Sequence, residues 1–173
     1  MENVLIIGCG RHGRIVAEAV ARAGVMRVMG FADDDPGKVG ASIDGVAVVG
    51  PWRQAEEVAC VVAIGNNATR QKIFAELRAA GRRLVTVISP GAQVSPGASI
   101  GAGSVVLAGA VIQAGATLGV NVLVNAGAVV DHDAEVGDHA HVGLNATVAS
   151  FGKVAAGEWL APGAVRLKAG MAG

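Results

Sequence analysis

The sequence predicts an α/β N-terminal Rossmann-like half domain followed by a left-handed parallel β-helix of hexapeptide repeats. The strongest observation is an apolar branched residue at every sixth position from Ile88 to Leu160, thirteen positions in phase. The second is an earlier alternation of short apolar runs with segments of helical periodicity. The third is the composition, because 26 glycines and 3% aromatic residues suit a repeat that needs small residues at fixed places.

The six-residue repeat accounts for the second part of the chain. A small residue stands two positions before most of the periodic ones, as at Ala98, Ala110 and Ala128. Such a repeat suits a chain that makes one flat face per hexad, turns through small residues and fills a prism with aliphatic side chains. Three hexads close one triangular coil in hexapeptide-repeat proteins, so the steps from Ile88 to Leu160 predict about four coils.

The first part of the chain alternates predicted strands with predicted helices. The strands are residues 4–8, 28–32 and 60–64, and the helices are residues 12–23 and a segment through Ile73, Phe74 and Leu77 that stops at Gly81. This alternation predicts a parallel sheet with crossover connections. The boundary between the two parts is expected between Arg82 and Ser89, which gives units at 1–84 and 85–173.

Charge, cysteine content and hydropathy limit the class of protein. The 14 basic and 14 acidic residues cancel, so no net field draws the chain to nucleic acid or to an anionic membrane. No apolar run approaches the roughly 18 residues of a spanning helix, and the first residues lack the basic region of a secretory signal. Cys9 and Cys60 show no disulfide framework. We therefore expect a cytoplasmic protein without a nucleic-acid partner or a membrane span.

A glycine-rich loop follows the first predicted strand and opens the first helix. Glycines allow the backbone to approach a ligand there, and the free N–H groups at a helix start favour a phosphate. Asp33 and Asp34 follow the second strand, where carboxylates accept hydrogen bonds from ribose hydroxyls or a base N–H. Only about 85 residues precede the repeats, so a nucleotide attached to another group is favoured over a dinucleotide. The alternative is a tight turn beside a solvated acidic loop.

Three of the four histidines lie within ten residues of one another in the repeat segment. His132 stands between Asp131 and Asp133, and a neighbouring carboxylate fixes the tautomer of a histidine and stabilises its protonated ring. His132 is therefore the candidate general base, and the alternative is a surface imidazole with no task. His139 and His141 are expected to share one face of a strand. Zinc binding, as in a β-helix hydratase, is a further alternative that the histidine spacing disfavours.

Four segments resemble the NeuD/PglD-type sugar acyltransferases, which include bacterial nucleotide-amino-sugar N-acetyltransferases. The segments are VLIIGCGRHGRIV, FADDD, VVAIGNNATRQKI and VVDHDAEVGDHAHVGLNATVAS, and together they cover nearly the whole chain in order. The resemblance implies a nucleotide-sugar-binding domain at 1–84 and an acyltransferase β-helix at 85–173. It also implies a homotrimer, with acetyl-CoA as co-substrate in the groove between adjacent helices.

The resemblance further implies roles for individual residues. His132 resembles the base that takes a proton from the sugar amine as it attacks the thioester, and Asp133 resembles the acid that orients this base. His141 resembles the family's second histidine, near acetyl-CoA, and the Gly143 N–H is the candidate donor to the tetrahedral oxyanion. The residues implied in nucleotide-sugar binding are Gly8, Gly10, Arg11, His12, Gly13, Asp33, Asp34, Gly65 and Asn66.

We therefore expect direct acetyl transfer from acetyl-CoA to the amine of a UDP-, GDP- or dTDP-linked amino sugar, without a metal or a covalent enzyme intermediate. The product is expected to serve polysaccharide biosynthesis. Transfer to a sugar hydroxyl is an alternative. Two departures from the family pattern are Arg11, where the loop usually has glycine, and the end at Gly173, where family members continue for another coil and a tail. The second departure keeps open a catalytically silent nucleotide-sugar-binding trimer.

Overall fold

A computed structural model describes residues 1–55 and 58–170 of the chain. It contains an α/β unit followed by a left-handed parallel β-helix, as the sequence predicts. Helix α2 of the first unit ends at Ala79, and the first strand of the β-helix begins at Val87. Residues 171–173, which the sequence prediction includes in the second unit, lie outside the described residues.

The α/β unit is built around one sheet. Within the described residues its strands are β1 (Glu2–Ile7), β2 (Met26–Ala32), β3 (Ser42–Ile43), β4 (Val46–Gly50) and β5 (Ala59–Val62), in the order β3-β4-β2-β1-β5. All neighbours are parallel except β3 and β4. Helix α1 (Arg11–Ala23) and helix α2 (Asn67–Ala79) complete the unit, with short 3₁₀ turns at Pro36–Lys38 and Trp52–Gln54. The predicted strands correspond to β1, β2 and β5, with ends shifted by no more than two residues.

The two helices bury different faces of the sheet. Helix α1 buries Val16, Ala19 and Val20 in a cluster with Val4 and Ile6, at the helical spacing seen in the sequence. Helix α1 ends at Gly24, whose φ of 68° gives the left-handed conformation typical of a glycine helix cap. On the opposite face, Leu5 and Ile7 pack with Phe74 and Leu77 of α2. The sheet is therefore buried on both sides, which explains its continuous apolar strands.

The hairpin of β3 and β4 is absent from the sequence prediction. Asp44 and Gly45 connect the two strands with φ values of 50° and 82°. Two successive positive φ values are typical of the tight hairpin turn that an Asp-Gly pair favours. The Asp-Gly pair is the feature of the sequence that could have predicted this hairpin. Strand β4 then runs parallel to β2 and extends the sheet.

The β-helix consists of two-residue strands at intervals of six residues. The described residues contain fourteen of them: β6 (Val87–Ile88), β7 (Gln93–Val94), β8 (Ser99–Ile100), β9 (Val105–Val106), β10 (Val111–Ile112), β11 (Thr117–Leu118), β12 (Leu123–Val124), β13 (Val129–Val130), β14 (Glu135–Val136), β15 (His141–Val142), β16 (Thr147–Val148), β17 (Lys153–Val154), β18 (Trp159–Leu160) and β19 (Val165–Arg166). At three strands per coil they make four coils and two further strands. Strand β19 lies one step beyond the predicted series, because Arg166 takes the periodic position and interrupts the apolar pattern.

Parallel pairing of these strands creates three flat faces. Face 1 contains β6, β9, β12, β15 and β18; face 2 contains β7, β10, β13, β16 and β19; face 3 contains β8, β11, β14 and β17. The second residue of each strand points into the prism, where Ile112, Val130 and Val142 belong to one buried cluster. The first residue points outward, so each face carries an outer column of side chains.

The outer column of face 1 contacts the α/β unit. On face 1, Val87, Val105 and Leu123 are buried in the same cluster as Val4 and Val16 of the α/β unit. The α/β unit therefore covers face 1 of the prism over β6, β9 and β12, while Trp159 of β18 is 60% exposed. The corner between faces 2 and 3 lies on the side of the prism opposite this unit.

Candidate functional site

His132 lies at the corner between faces 2 and 3, in the turn after β13. Its side chain is 52% exposed, and its Nδ1 lies 2.9 Å from Oδ2 of Asp133. The hydrogen bond with Asp133 raises the pKa of His132 above its ordinary value. The backbone N–H of His132 donates to Oδ1 of Asp131 at 2.8 Å. Because Asp133 holds Nδ1, the ring nitrogen left for proton transfer is Nε2.

Asp133 reaches His132 because the corner backbone is left-handed. Its φ is +56°, and Gly115 occupies the equivalent position one coil earlier with a φ of +75°. Aspartate and glycine both tolerate this conformation. In this conformation the Asp133 carboxylate lies beside the ring of the residue before it, His132. The structure pairs His132 with Asp133, while Asp131 contacts the His132 backbone.

The predicted glycine loop connects β1 to α1. A Cβ atom at Gly13 would lie 2.1 Å from the Gly8 carbonyl oxygen, and one at Gly8 would lie 2.8 Å from Ile64 Cγ1, so neither position has room for a side chain. A Cβ atom at Gly10 would have no heavy atom within 4 Å. Gly10 and Arg11 are exposed at the start of α1, where N–H groups face solvent. This end of α1 is open to a ligand.

Asp33 and Asp34 have different environments. The Asp33 carboxylate accepts hydrogen bonds from the Cys9 backbone N–H at 3.2 Å and from Lys38 Nζ at 3.2 Å, and also from the Cys9 thiol and the Asp35 N–H. Burial alone raises the pKa of Asp33, but these hydrogen bonds outweigh burial and lower it to about 2. Asp34 is exposed and pairs with Arg53 at 3.3 Å. Asp33 therefore fixes the glycine loop, whereas Asp34 points outward from the strand end.

His12 and His141 form a second, partly buried group of imidazoles. His141 is the outward residue of β15 on face 1, and its Nε2 lies 3.3 Å from Asn125 Nδ2. Burial lowers the pKa of His141 to about 4, with further lowering by the charges of Arg70 and His12 and an opposing hydrogen bond to the Gly65 backbone. Burial and then Arg70 also lower the pKa of His12 to about 4. The structure thus brings His12, Gly65 and His141 together beneath the α/β unit.

His139 does not share a strand with His141, so that prediction is wrong. It lies in the corner between faces 3 and 1 with a φ of +61°. Its Nδ1 is 2.9 Å from Asn121 Nδ2, and its ring packs edge-on against Phe74 at 5.3 Å between centroids. The left-handed corner turns the chain between residues 139 and 141, so a spacing of two does not give a common face here.

Gly143 requires a correction to the predicted oxyanion donor. Its backbone N–H donates to the Leu160 carbonyl at 2.9 Å within the β-helix ladder. This N–H is therefore already bonded and is not available to an oxyanion. A Cβ atom at this position would lie 2.6 Å from the Leu160 carbonyl oxygen, so close approach of two coils explains the glycine.

Arg70 is the main residue of this region that the sequence analysis missed. It lies in α2, is 2% exposed, and burial lowers its pKa to about 10. No carboxylate of residues 1–55 or 58–170 forms an ion pair with it. Its guanidinium instead donates to the carbonyls of Ile64, Gly65, Asn121, His139 and Ala140 and to Oδ1 of Asn67. In the sequence, Arg70 looks like an ordinary solvent-exposed arginine of a helix. No neighbouring residue indicates that it is buried.

Within the part of the chain that the structure describes, no group of three or more His, Cys, Asp or Glu side chains is arranged to hold a metal ion. Over the same residues, no helix combines the length and apolar character needed to cross a bilayer.

Comparisons with known proteins identify the family. Residues 3–77 match the family model of the PglD N-terminal domain. The acetyltransferase domain of PglB from Neisseria gonorrhoeae FA1090 is 33% identical, has a TM-score of 0.81, and aligns over 95% of this chain and 91% of that chain. The chain belongs to the NeuD/PglD-type sugar acyltransferase family.

Other relatives of this NeuD/PglD-type chain have been solved with ligands or curated by activity. PerB from Caulobacter crescentus, in complex with CoA and GDP-perosamine, is 32% identical with a TM-score of 0.80, over 95% of this chain and 88% of that chain. The UDP-N-acetylbacillosamine N-acetyltransferase of Bacillus subtilis (strain 168) is 34% identical over 99 residues. That alignment covers 54% of this chain and 46% of the relative, so it spans about half of the curated protein.

This NeuD/PglD-type chain therefore offers two chemically different regions. The corner of His132 provides an exposed imidazole paired with a carboxylate, which suits proton transfer near neutral pH. The region of His12 and His141 provides neutral rings and open helix N–H groups, which suit hydrogen bonding to an anionic ligand. The two regions lie on opposite sides of the prism.

Proposed function

We propose that this protein transfers the acetyl group of acetyl-CoA to the amine of a nucleotide-activated amino sugar. The observation that carries the proposal is the pairing of exposed His132 with Asp133 at 2.9 Å on a β-helix corner. The family supports it, since the PglB acetyltransferase domain solved in complex with acetyl coenzyme A is 32% identical over 96% of this chain. Residues 85–173 are assigned to acyl transfer and residues 1–84 to nucleotide-sugar binding.

The proposed reaction is a direct attack in a ternary complex. The sugar amine attacks the thioester carbonyl carbon as Nε2 of neutral His132 takes its proton, and a tetrahedral intermediate forms. Asp133 stabilises the imidazolium through Nδ1. Collapse of the intermediate breaks the C–S bond, and the imidazolium returns its proton to the departing CoA thiolate. The products are an N-acetylated sugar and CoA, and His132 ends neutral.

The nucleotide sugar is assigned to the glycine-loop end of the α/β unit. The exposed N–H groups around Gly10 and Arg11 suit the diphosphate, and outward Asp34 suits a ribose hydroxyl or a base N–H. His12 and the Gly65–Asn66 loop line the same region, while His141 joins them from face 1. The nucleotide is UDP, GDP or dTDP in this proposal.

Both cysteines are free thiols, which fits a reducing cytoplasm.

The His132 corner and the region assigned to the nucleotide sugar lie on opposite sides of one chain, and a homotrimer would bring them together between neighbouring protomers. His132 lies on the corner opposite the α/β unit of its own chain, so the base must serve a nucleotide sugar held by a neighbouring protomer. The outer column of face 2 supports such an interface, because Val111, Val129 and Val165 are apolar and only partly covered or exposed. Face 3 carries Thr117, Glu135 and Lys153 in its outer column and suits solvent. Acetyl-CoA is assigned to the groove between neighbouring prisms.

Isothermal calorimetry and turnover assays test this function. We expect micromolar binding of acetyl-CoA and acetylation of a UDP-, GDP- or dTDP-linked amino sugar. Replacement of His132 with alanine should reduce kcat by about 10²–10⁴-fold and leave nucleotide-sugar binding intact. Acetylation of a hydroxyl sugar in preference to the amine would favour an O-acetyltransferase. No heat with acetyl-CoA, together with retained nucleotide-sugar binding, would favour a silent binding trimer.

A further inference from the structure

The corners of the β-helix impose one unusual backbone conformation. One residue in almost every corner has a positive φ, and these residues recur at intervals of 18 along each edge of the prism. At the edge that carries His132 they are Gly115, Asp133 and Phe151, with φ values of 75°, 56° and 58°. At the other two edges the same positions are occupied by glycine, asparagine or histidine: Gly103, Asn121, His139, Gly157, Gly109, Gly127, Asn145 and Gly163.

Phe151 is the exception to this pattern. Glycine, asparagine, aspartate and histidine are the residues that tolerate the left-handed region, whereas a bulky residue there is strained. Within one chain, burial does not offset this strain, because Phe151 remains 48% exposed. A strained, exposed aromatic side chain is unfavourable for folding alone. Such residues persist where the surroundings or the function require them.

The neighbours of Phe151 indicate its use. Its ring lies 5.5 Å from the His132 ring, centroid to centroid, with an interplanar angle of 87°. Lys168 Nζ lies 5.0 Å from the centroid of the same phenyl ring. The Phe151 backbone N–H also donates to the His132 carbonyl at 3.4 Å. Phe151 is thus the residue of the next coil that contacts the base.

We infer that Phe151 is a positioning residue that holds the His132 ring for proton transfer. The inference rests on the proposed function of His132. Asp133 fixes Nδ1, but one hydrogen bond leaves an exposed ring free to swing about it. The edge-to-face contact with Phe151 limits that motion and directs Nε2 to one place. Misplacement of a reacting group by about 1 Å is enough to lower a rate about 10²-fold.

Three substitutions separate the ring from the backbone strain. Phe151→Tyr keeps an aromatic ring and the strain, Phe151→Leu removes the ring but keeps the strain, and Phe151→Asn removes both. Single-turnover rates and KM values are measured for each variant, together with melting temperatures. We expect the single-turnover rate to depend on the aromatic ring. Phe151→Tyr should react at nearly the parent rate, whereas Phe151→Leu and Phe151→Asn should be slower by about 10–100-fold. KM values for acetyl-CoA and the nucleotide sugar should stay unchanged.

The melting temperature should instead depend on the backbone strain at residue 151. Phe151→Asn relieves the strain and is expected to raise the melting temperature by about 2–4 °C, whereas Phe151→Leu gives no increase. The inference is overturned if Phe151→Leu keeps the full rate, if Phe151→Asn melts lower than the parent, or if only the KM for acetyl-CoA rises. His132→Ala distinguishes the two proposals. An inactive His132→Ala beside fully active Phe151 variants refutes the positioning role alone, and an active His132→Ala refutes the proposed base.

Discussion

The histidines of this chain occupy two opposite electrostatic environments. His132 is exposed beside a carboxylate, which raises its pKa, whereas His12 and His141 are partly buried near a guanidinium, and this burial lowers their pKa to about 4. Opposite shifts within one chain mark different tasks. A raised pKa suits a base that must later carry a proton. A lowered pKa keeps a ring neutral, so that it can donate and accept hydrogen bonds at neutral pH.

Asp133 should control the pH dependence of the reaction. Neutral His132 is the active form, so the acid limb of kcat/KM is expected at a pH above the ordinary histidine value of 6.5. Asp133→Asn keeps a residue that tolerates the left-handed corner but removes the negative charge. Its acid limb should move to lower pH and its maximal kcat should fall. An unchanged limb in the pH–rate profile would exclude Asp133 as the partner of the base.

The partly buried His12 and His141 should destabilise the protein in mild acid. Their folded pKa of about 4 lies below the ordinary histidine pKa of 6.5, so the unfolded chain binds more protons between these pH values. Stability is therefore full above pH 6.5 and falls as the pH approaches 4. The loss should be about 1–2 kcal/mol per ring at pH 5. Chemical denaturation at several pH values measures it, and His141→Asn should flatten the dependence.

At the scale of elements, α2 connects the two units of the chain. Asn67 donates to the carbonyls of Gly157 and Glu158, at 2.9 and 3.1 Å, from the first turn of the helix. Arg70, one turn later, bonds to Asn121 and His139 in two successive coils. Side chains on one helix thus hold the loop of Gly65 against the β-helix. The loop assigned to the nucleotide sugar is oriented by these bonds.

Arg70→Met should therefore weaken both stability and substrate binding. The methionine side chain fills part of the space but leaves several buried carbonyls without donors, at about 1–3 kcal/mol for each that water does not reach. We expect a loss of about 3 kcal/mol or more in urea unfolding and weaker nucleotide-sugar binding by calorimetry. Arg78→Met, at an exposed position of the same helix, is the matched control. Equal effects of both substitutions would contradict the connecting role.

The elements also differ in how far the sequence specifies them. The β-helix is predictable because each hexad repeats the same local solution, so thirteen weak signals add in phase. Strands β3 and β4 depend on one Asp-Gly turn, and such a short hairpin leaves little periodicity to detect. Local spacing identified His132, with Asp131 and Asp133 both as candidate partners, and the family resemblance favoured Asp133. The contacts of Arg70 and Phe151 depend on residues distant in sequence or one coil away, which local patterns do not encode.

At the scale of the whole molecule, face 2 is expected to join the protomers. Val129→Asp places a charge in the outer column of this face without changing the interior of the prism. We expect this variant to be monomeric by light scattering and inactive in turnover, with nucleotide-sugar binding retained. Thr117→Asp makes a comparable change on face 3 and should remain trimeric and active. A trimeric Val129→Asp variant would exclude face 2 as the interface.

The ladder of the β-helix also sets an order of opening along the prism. Backbone N–H groups of the strands donate to the coil that follows them, as from Val105 to Val122 at 2.8 Å and from Leu123 to Ala140 at 3.0 Å, whereas corner N–H groups such as that of Phe151 donate to the coil before them. The strand N–H groups of the last described coil have no following coil to receive them among residues 1–55 and 58–170. Since each coil contacts only its neighbours, amide exchange should be slowest in the middle coils, which have a coil on either side. His132 belongs to a middle coil, so thermal fraying reaches its geometry late.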